Sequence, residues 1–296
     1  MTNRDLDRLY ARVPKEQRGL LQGFRATHPV QQMQIAGVDW EYISCGTGDT
    51  ALLFLPGAFT RGDMWFHTIL ALEDTHRIIA PDSFTLQGVY RMDAVCDSLF
   101  DLLDAQGIGE AILIGLSAGG GVARAMLQKR PQRVAHLVLS HSGSMEARPG
   151  MQKQVSRLQR LVRLLPVSLT RRVLLQRTAG HIPPSSKWIE FHNAYFAEAT
   201  RDVTKRMILG FLQSSLHWHR DFVFKPEIVQ SWPGEMLILA SEDDELTMAS
   251  LAQVQARYPR ARTHLFPEGG HHTFILYPEA YTAALGRFIA EVTGPR

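Results

Sequence analysis

The sequence has little of several features that mark particular classes of protein. Only two cysteines, Cys45 and Cys96, occur in 296 residues. Two thiols form neither a disulfide framework nor a pattern of metal ligands, although a single disulfide between them stays open. No apolar run approaches the roughly 20 residues that a transmembrane helix needs. The first thirty residues are charged, which argues against a secretory signal. We therefore expect a cytoplasmic protein with no integral membrane segment.

Charge and composition are equally moderate. A net charge of +3 is too small to predict binding to nucleic acid. Hydrophobic residues make up 45% of the chain and charged residues 21%, which is typical of a globular protein. The length suits one large α/β domain with an insertion, or two small domains. No internal repeat divides the chain, and none of these quantities predicts an oligomeric state.

Short apolar segments alternate with helical patterns along much of the chain. An alternating pattern at 32–45 predicts an early hairpin. Six apolar segments then have the composition of strands covered on both faces: Ala51–Leu55, Arg77–Ala80, Ala111–Gly115, Val134–Ser140, Met236–Ala240 and Thr263–Phe266. Helical patterns lie between several of them: Met92–Ala105, Gly120–Lys129, Met248–Arg257 and Pro278–Val292. This alternation predicts an α/β fold with a mostly parallel sheet and helices on both faces.

The alternation fails between residues 144 and 232, where helical periods occur without a convincing strand. We predict an N-terminal arm over 1–30, an α/β core over 31–143 and 233–296, and an all-helical cap over 144–232. Caps of this kind shape pockets and exclude water. The cap has a basic run, which fits an amphipathic helix with a solvated face; attraction of anionic substrates or a lipid surface stays open. The basic residues are Arg148, Lys153, Arg157, Arg160, Arg163, Arg171, Arg172 and Arg177.

Residues 110–123 are the most informative stretch. An apolar run leads into Gly-Leu-Ser-Ala-Gly at 115–119, with Ser117 at its centre, and a helical pattern follows. This is the pattern of a nucleophile elbow, in which a strained strand-to-helix turn lifts a serine hydroxyl out of the sheet. The glycines leave room where strand and helix pass closely. The pentapeptide alone is a weak signal, and an idle serine in a glycine-rich turn is the alternative.

Acidic residues and histidines follow the next strands in a suggestive order. A serine hydroxyl needs a base that is oriented by an acid before it can act as a nucleophile at neutral pH. Acids lie in Ser-Glu-Asp-Asp-Glu at 241–245, and the later strand leads to His271 and His272. Active sites of open α/β sheets lie at the carboxyl ends of strands. The order serine, acid, histidine therefore predicts a catalytic triad.

In these motifs the chain resembles the α/β-hydrolase fold family, over about residues 31–292. The resemblance implies that Ser117 is the nucleophile and His271, rather than His272, the base. It implies that Asp244 is the acid, with Asp243 as the alternative.

The family's oxyanion loop corresponds to residues 55–59, where Pro56 replaces the histidine of many relatives. The resemblance implies oxyanion donors at the backbone N–H groups of Ala58 and Ala118, with Phe59 possible if the loop register differs. Phe59 and Trp65 are predicted to line an apolar acyl pocket.

The activity implied by the resemblance is that of a serine hydrolase without metal or organic cofactor. It would cleave a small or medium ester, thioester or lactone through an acyl-enzyme, and carboxylesterase is the predicted label. Amidases, C–C hydrolases and acyltransferases reuse the same residues, so the fold does not decide among them. A non-catalytic or slow-turnover binding protein on the same fold is the alternative from another class.

Overall fold

The chain forms an eight-stranded sheet in a computed structural model, which describes residues 3–144, 150–172, 183 and 185–294. The order across the sheet is β1-β2-β4-β3-β5-β6-β7-β8. The β1–β2 and β2–β4 pairs are antiparallel, and the other neighbouring pairs are parallel. The predicted mostly parallel sheet is thus confirmed. The strands are β1 (Gln31–Ile35), β2 (Val38–Cys45), β3 (Ala51–Leu55), β4 (Arg77–Pro81), β5 (Ala111–Leu116), β6 (Val134–Ser140), β7 (Met236–Ser241) and β8 (Arg262–Phe266).

Helices fill the connections between the strands. In chain order they are α1 (Asn3–Leu9), α2 (Lys15–Thr27), α3 (Phe66–Leu72), α4 (Phe84–Gln87), α5 (Met92–Ala105), α6 (Ala118–Lys129), α7 (Met151–Leu164), α8 (Ile189–Ala199), α9 (Lys205–Asp221), α10 (Pro226–Ser231), α11 (Glu245–Met248), α12 (Leu251–Arg257), α13 (Thr273–Leu276) and α14 (Pro278–Thr293). Short 3₁₀ turns occur at Gly62–Trp65, Pro131–Arg133 and Gly270–His272, and residues 167–172 are also helical.

Two hydrophobic layers cover the two faces of the sheet. In β5, Leu113 packs in one layer, whereas Ile112 and Ile114 pack in the other, because successive strand residues point to opposite faces. The central strands are therefore apolar at nearly every position, as the sequence pattern predicted. Full burial of one such side chain stabilises the fold by about 1.5–3 kcal/mol.

The carboxyl ends of the parallel strands lie side by side. In the pairing of β3 with β5, Leu55 lies opposite Gly115, and in that of β7 with β8, Ser241 lies opposite Phe266. The loops that follow these strands therefore leave the sheet at one edge, which we call the carboxyl edge.

The stretch predicted as a cap contains α7 to α10, and its described residues include no strand. Two residues of the basic run, Arg148 and Arg177, lie outside the described residues. Val162 of α7 and Leu212 of α9 pack around Phe59 of the loop after β3. The two helices therefore lie over that loop.

A network of charged and phenolic groups ties the N-terminal arm to this assembly. Arg25 of α2 donates to Asp63, in the turn before α3, at 2.7 Å and to Glu198 of α8 at 2.9 Å. Tyr10 donates to the same Glu198 at 2.5 Å, and Tyr195 to the same Asp63 at 2.6 Å. Two carboxylates thus share one guanidinium, and three separate segments meet there.

Two further observations concern membrane-spanning helices and disulfide bonds. Among the described residues, no helix has both the length and the apolar character to cross a membrane. Cys45 and Cys96 are not joined by a disulfide.

Candidate active site

Ser117 occupies a strained turn between β5 and α6. Its backbone has φ 51° and ψ −114°, a conformation that costs a residue with a side chain roughly 1–3 kcal/mol. Neighbouring groups hold it there: the Ser117 N–H donates to the Ser140 carbonyl at 2.9 Å, and the Ser142 hydroxyl donates to the Ser117 carbonyl at 2.8 Å. The serine therefore stands at the carboxyl edge in the geometry that a nucleophile elbow requires.

The glycines around Ser117 are required by close packing. A Cβ atom on Gly115 would lie 2.6 Å from the Gly119 carbonyl oxygen, and one on Gly119 would lie 2.2 Å from the Leu55 carbonyl oxygen. Neither position can hold a side chain without moving backbone. The contacts place the start of α6 directly against the end of β3.

Asp244 and His271 form a buried pair at the same edge. His271 Nδ1 lies 2.9 Å from Asp244 Oδ2, and the two side chains are only 5% and 2% exposed. Asp244 also caps α11, because its Oδ1 accepts from the N–H groups of Leu246 at 3.2 Å and Thr247 at 3.3 Å. The Thr247 hydroxyl donates to Oδ2 at 2.5 Å. Helix and hydroxyl together fix the carboxylate that faces the imidazole.

The pKa of Asp244 reflects opposing effects. Burial on its own raises it, but the hydrogen bond and charge of His271, together with the hydrogen bond from Thr247, outweigh burial and lower the pKa. The carboxylate therefore stays charged at neutral pH and accepts the Nδ1–H of His271. This tautomer leaves Nε2 of the ring free to take a proton.

Asp243 points elsewhere. Its carboxylate accepts the backbone N–H of Gly270 at 2.9 Å and that of Gly269 at 3.1 Å. Asp243 therefore holds the backbone of the turn that carries His271, whereas Asp244 contacts the ring. The two adjacent carboxylates thus act on two parts of one loop.

His272 faces the predicted cap. Its Nδ1 lies 2.8 Å from Nε2 of His192 in α8, and its ring stacks on Phe196 with centroids 4.2 Å apart. Burial lowers the pKa of both histidines, that of His192 to about 4. Both rings are therefore neutral at pH 7, and one donates to the other. The loop that carries His271 is joined to α8 through this bond.

His141 is a buried neighbour of the pair that the sequence reasoning missed. It directly follows β6, has φ 45°, and its ring stands edge-on to His271 with centroids 6.0 Å apart. Its Nε2 lies 3.0 Å from the Ser241 hydroxyl and 3.1 Å from that of Thr273. Burial lowers its pKa to about 3, so the ring is neutral. The only sequence signal was an ionisable residue directly after an apolar strand.

The loop after β3 lies against Ser117. A Cβ on Gly57 would lie 3.8 Å from Ser117 Cβ. The segment after β4 supports this loop: the Thr85 hydroxyl accepts the Phe59 N–H at 2.7 Å, and Asp82 accepts the Gly62 N–H at 2.8 Å. Burial raises the pKa of Asp82 to about 7. Asp82 thus binds the backbone of a turn.

These contacts bear on the predicted oxyanion donors. The Phe59 N–H is already bound to Thr85, which leaves Ala58 as the expected donor of the loop. Ala118 is the first residue of α6, and the first N–H groups of a helix have no partner within it and carry partial positive charge. Both predicted donors therefore belong to segments that border Ser117.

The two residues predicted to line the pocket lie in different clusters. Phe59 packs with α7 and α9, and its ring is edge-on to Phe211 with centroids 5.3 Å apart. Trp65 is 1% exposed and lies in the core beside Phe54 and Phe274, at centroid distances of 5.2 and 5.0 Å. Both rings are 1% exposed, and both clusters include residues of the predicted cap, such as Val162 in that of Phe59 and Phe191 in that of Trp65.

The sequence pattern of the alpha/beta hydrolase fold matches residues 50–278. The chain belongs to this family, as its motifs predicted, and the class of protein that fold and site define is a hydrolase.

Three similar proteins differ from this chain at most positions. A 2-hydroxymuconate semialdehyde hydrolase from Pseudomonas sp. (strain CF600) is 24% identical over 77% of this chain and 81% of its own. A protein of Caulobacter sp. (strain K31), provisionally named carbamate hydrolase RutD, is 26% identical over 87% of this chain and 98% of its own. Among solved structures, an esterase from Exiguobacterium antarcticum superposes with a TM-score of 0.71 at 17% identity, over 88% of this chain and 98% of its own.

Proposed function

We propose that this protein is a serine hydrolase that cleaves a small or medium carboxylic ester, thioester or lactone through an acyl-enzyme. One observation carries the proposal: a buried carboxylate and imidazole, 2.9 Å apart, stand at the edge of the sheet where a serine is held in a strained elbow. A serine presented in this way, with a base oriented by an acid, is the arrangement that nucleophilic acyl transfer needs.

The proposed mechanism assigns one role to each of these three side chains. Ser117 Oγ attacks the carbonyl carbon while His271 Nε2 takes the hydroxyl proton, and Asp244 stabilises the resulting imidazolium. The N–H groups of Ala58 and Ala118 hold the oxyanion, each contributing roughly 2.7–4 kcal/mol of transition-state stabilisation. The tetrahedral intermediate collapses, and the leaving alkoxide receives the proton from His271. A water molecule, deprotonated by the same imidazole, then attacks the acyl-enzyme and releases the acid and the free serine.

The surroundings of the loop favour an apolar acyl group. The side chains that α7 and α9 place around Phe59 are aliphatic or aromatic, and apolar surface of this kind binds acyl chains by excluding water. We propose that residues 144–232 form the cap of this pocket. The bond between His192 and His272 would then couple cap position to the histidine loop. A cytoplasmic location remains part of this proposal.

Hydrolysis of a carbon–carbon bond is the second candidate. It is favoured by the similarity to the 2-hydroxymuconate semialdehyde hydrolase over most of this chain. The two reactions differ at the leaving group, because an ester releases an alkoxide that His271 can protonate, whereas C–C cleavage requires protonation of a carbon. A binding protein without turnover is disfavoured by the Asp244–His271 pair.

The test is an ester panel with a matched serine variant. Wild type, Ser117→Ala and the exposed-serine control Ser231→Ala are assayed on p-nitrophenyl esters of increasing chain length, and separately on 2-hydroxymuconate semialdehyde. The proposal predicts ester turnover in wild type and Ser231→Ala, and loss in a folded Ser117→Ala. Turnover of the semialdehyde alone would favour the second candidate. Ester turnover unchanged in Ser117→Ala would contradict the triad.

A further inference from the structure

Three potential metal ligands meet at the edge of the sheet opposite the candidate active site. His28 follows α2, Cys45 ends β2 and Glu73 follows α3, and one ligand atom of each lies within 4.8 Å of the other two. Cys45 pairs with Ile78 near the start of β4, so the group lies at the amino ends of the parallel strands. We propose that these three side chains bind one Zn²⁺ ion at a site independent of catalysis.

The ring of His28 is oriented as a metal ligand would be. Its Nδ1 lies 2.8 Å from the Thr27 hydroxyl and 3.0 Å from the Phe24 carbonyl oxygen, so this side of the ring is held against the end of α2. The ring also stacks on Phe24, with centroids 4.2 Å apart and planes inclined by 11°. Metal-ligating histidines are typically fixed by such a bond from the second ring nitrogen to a carbonyl. Nε2 is left to face the other two ligands.

The Glu73 carboxylate already joins the other two ligands. His28 Nε2 lies 2.5 Å from Glu73 Oε2, and the Cys45 thiol is hydrogen-bonded to the same carboxylate. Imidazole, thiolate and carboxylate are together a donor set typical of zinc, and a zinc ion would replace the protons that join them here.

The backbone around the ligands is already fixed. Gly46 has φ 78°, and a Cβ there would lie 2.1 Å from the His76 carbonyl oxygen and 2.9 Å from that of Glu73. The Thr47 N–H donates to the same Glu73 carbonyl at 3.1 Å. Cys45 and Glu73 are therefore held together by main-chain packing. Zinc distances of about 2.0–2.3 Å require only that the Glu73 carboxylate, 22% exposed, draws back from His28.

Such a site would fasten the N-terminal arm to the sheet. Three protein ligands leave a fourth tetrahedral position for water. Because the ligands come from three separate segments, zinc would bind the folded chain in preference to the unfolded one and stabilise it. The expected consequence is stability, without a change in catalysis at the opposite edge.

The experiment measures zinc retention by the tag-free full chain. After equilibration with buffered zinc and removal of unbound metal, we expect about one zinc per chain, with loss in Cys45→Ser and in His28→Gln. The matched control is His76→Gln. His76 follows α3 with Nδ1 2.8 Å from the Thr75 hydroxyl and 3.1 Å from the Leu72 carbonyl, as His28 follows α2 beside Thr27 and Phe24, but His76 lies outside the ligand group. A thiolate-to-metal charge-transfer band with Co²⁺, absent in Cys45→Ser, would identify the sulfur ligand.

Thermal unfolding provides a second readout. At free zinc about 100 times the dissociation constant, the Tm of wild type and His76→Gln should rise by about 5 °C, and that of Cys45→Ser should not. Lack of zinc retention by folded wild type would overturn the proposal and leave an ion pair only. Retention unchanged in both Cys45→Ser and His28→Gln would also overturn it. Neither readout depends on ester hydrolysis, so its failure is distinguishable from failure of the proposed function.

Discussion

The adjacent carboxylates Asp243 and Asp244 should have separable effects when each is changed. Asp244→Asn keeps a good N-cap for α11, because asparagine caps helices as well as aspartate does. It nevertheless replaces the negative acceptor of the His271 Nδ1–H with a neutral amide, so the imidazole loses both its tautomer and the charge that stabilises its cation. Asp243→Ala leaves that bond intact and removes the acceptor of two backbone N–H groups, at Gly269 and Gly270.

Asp244→Asn should have its largest effect on kcat, whereas Asp243→Ala should have its largest effect on the free energy of unfolding. Loss of the acid partner of a catalytic histidine lowers kcat by about 10⁴-fold, or roughly 5 kcal/mol of transition-state stabilisation. Hydrogen bonds to a charged group contribute about 1.5–3 kcal/mol, and Asp243 is only half buried. Asp243→Ala should therefore lower the free energy of unfolding by about 2 kcal/mol while reducing kcat by only about tenfold.

The assay is kcat and KM on the best p-nitrophenyl ester, together with urea unfolding of both variants. Asp244→Asn should remain folded, because the cap of α11 is kept, with a free energy of unfolding lowered by about 1.5–3 kcal/mol for the lost charge-assisted hydrogen bond. The reasoning is refuted if Asp244→Asn retains more than about a tenth of the wild-type kcat. It is equally refuted if Asp243→Ala proves the more damaging change to kcat.

Three further predictions concern packing and pH. Gly119→Ala places a Cβ 2.2 Å from the Leu55 carbonyl oxygen and should destabilise the fold by about 3 kcal/mol or more. The control Gly286→Ala, whose Cβ would meet no described atom within 4 Å, should be neutral or stabilising by up to about 1 kcal/mol. Equal urea midpoints for the two variants would contradict the packing argument. Arg25→Met leaves two carboxylates facing each other and should lower the free energy of unfolding by about 2 kcal/mol, which is less than for a fully buried pair because Arg25 is 33% exposed. An unchanged urea midpoint would show that the network contributes nothing to stability. Burial lowers the pKa of His192 from 6.5 to about 4, so between these pH values the unfolded chain binds a proton that the folded chain does not. The free energy of unfolding should therefore fall by up to about 1.4 kcal/mol per pH unit as pH decreases from 6.5 to 4. This decline should be shallower in His192→Asn, and a steeper decline would be inconsistent with a buried neutral ring.

The parts of the fold that the sequence predicted are those encoded locally. The limits of β3, β6 and α5 agree with prediction, because each segment has an unbroken apolar or helical pattern bounded by polar or turn residues. The elbow at Ser117 was equally predictable from the sequence, since its glycines, strand and helix are contiguous in the chain.

The finer geometry of the site depends on contacts between distant segments. Sequence order did not separate Asp243 from Asp244, because the capping of α11 and the turn at residues 269–270 decide where each carboxylate points. His141 gave no motif, since its partners Ser241 and Thr273 lie on other elements. Nothing in the chain near Phe59 and Trp65 indicated that the two rings would lie in different hydrophobic clusters.

The zinc site could not be predicted for a similar reason. Cys45 has no second cysteine or histidine at a ligand spacing nearby in the chain, so the count of two cysteines argued against metal. The ligands meet only because α2, β2 and α3 pack together at one end of the sheet.

The most direct test of the central claim is intact-mass spectrometry after incubation with a fluorophosphonate probe, which reacts with activated serines. Folded wild type should gain the mass of one adduct, peptide mapping should place it on Ser117, and folded Ser117→Ala should gain none. An adduct of equal yield on the alanine variant, or no adduct on a wild type that hydrolyses esters, would contradict a nucleophilic role for Ser117.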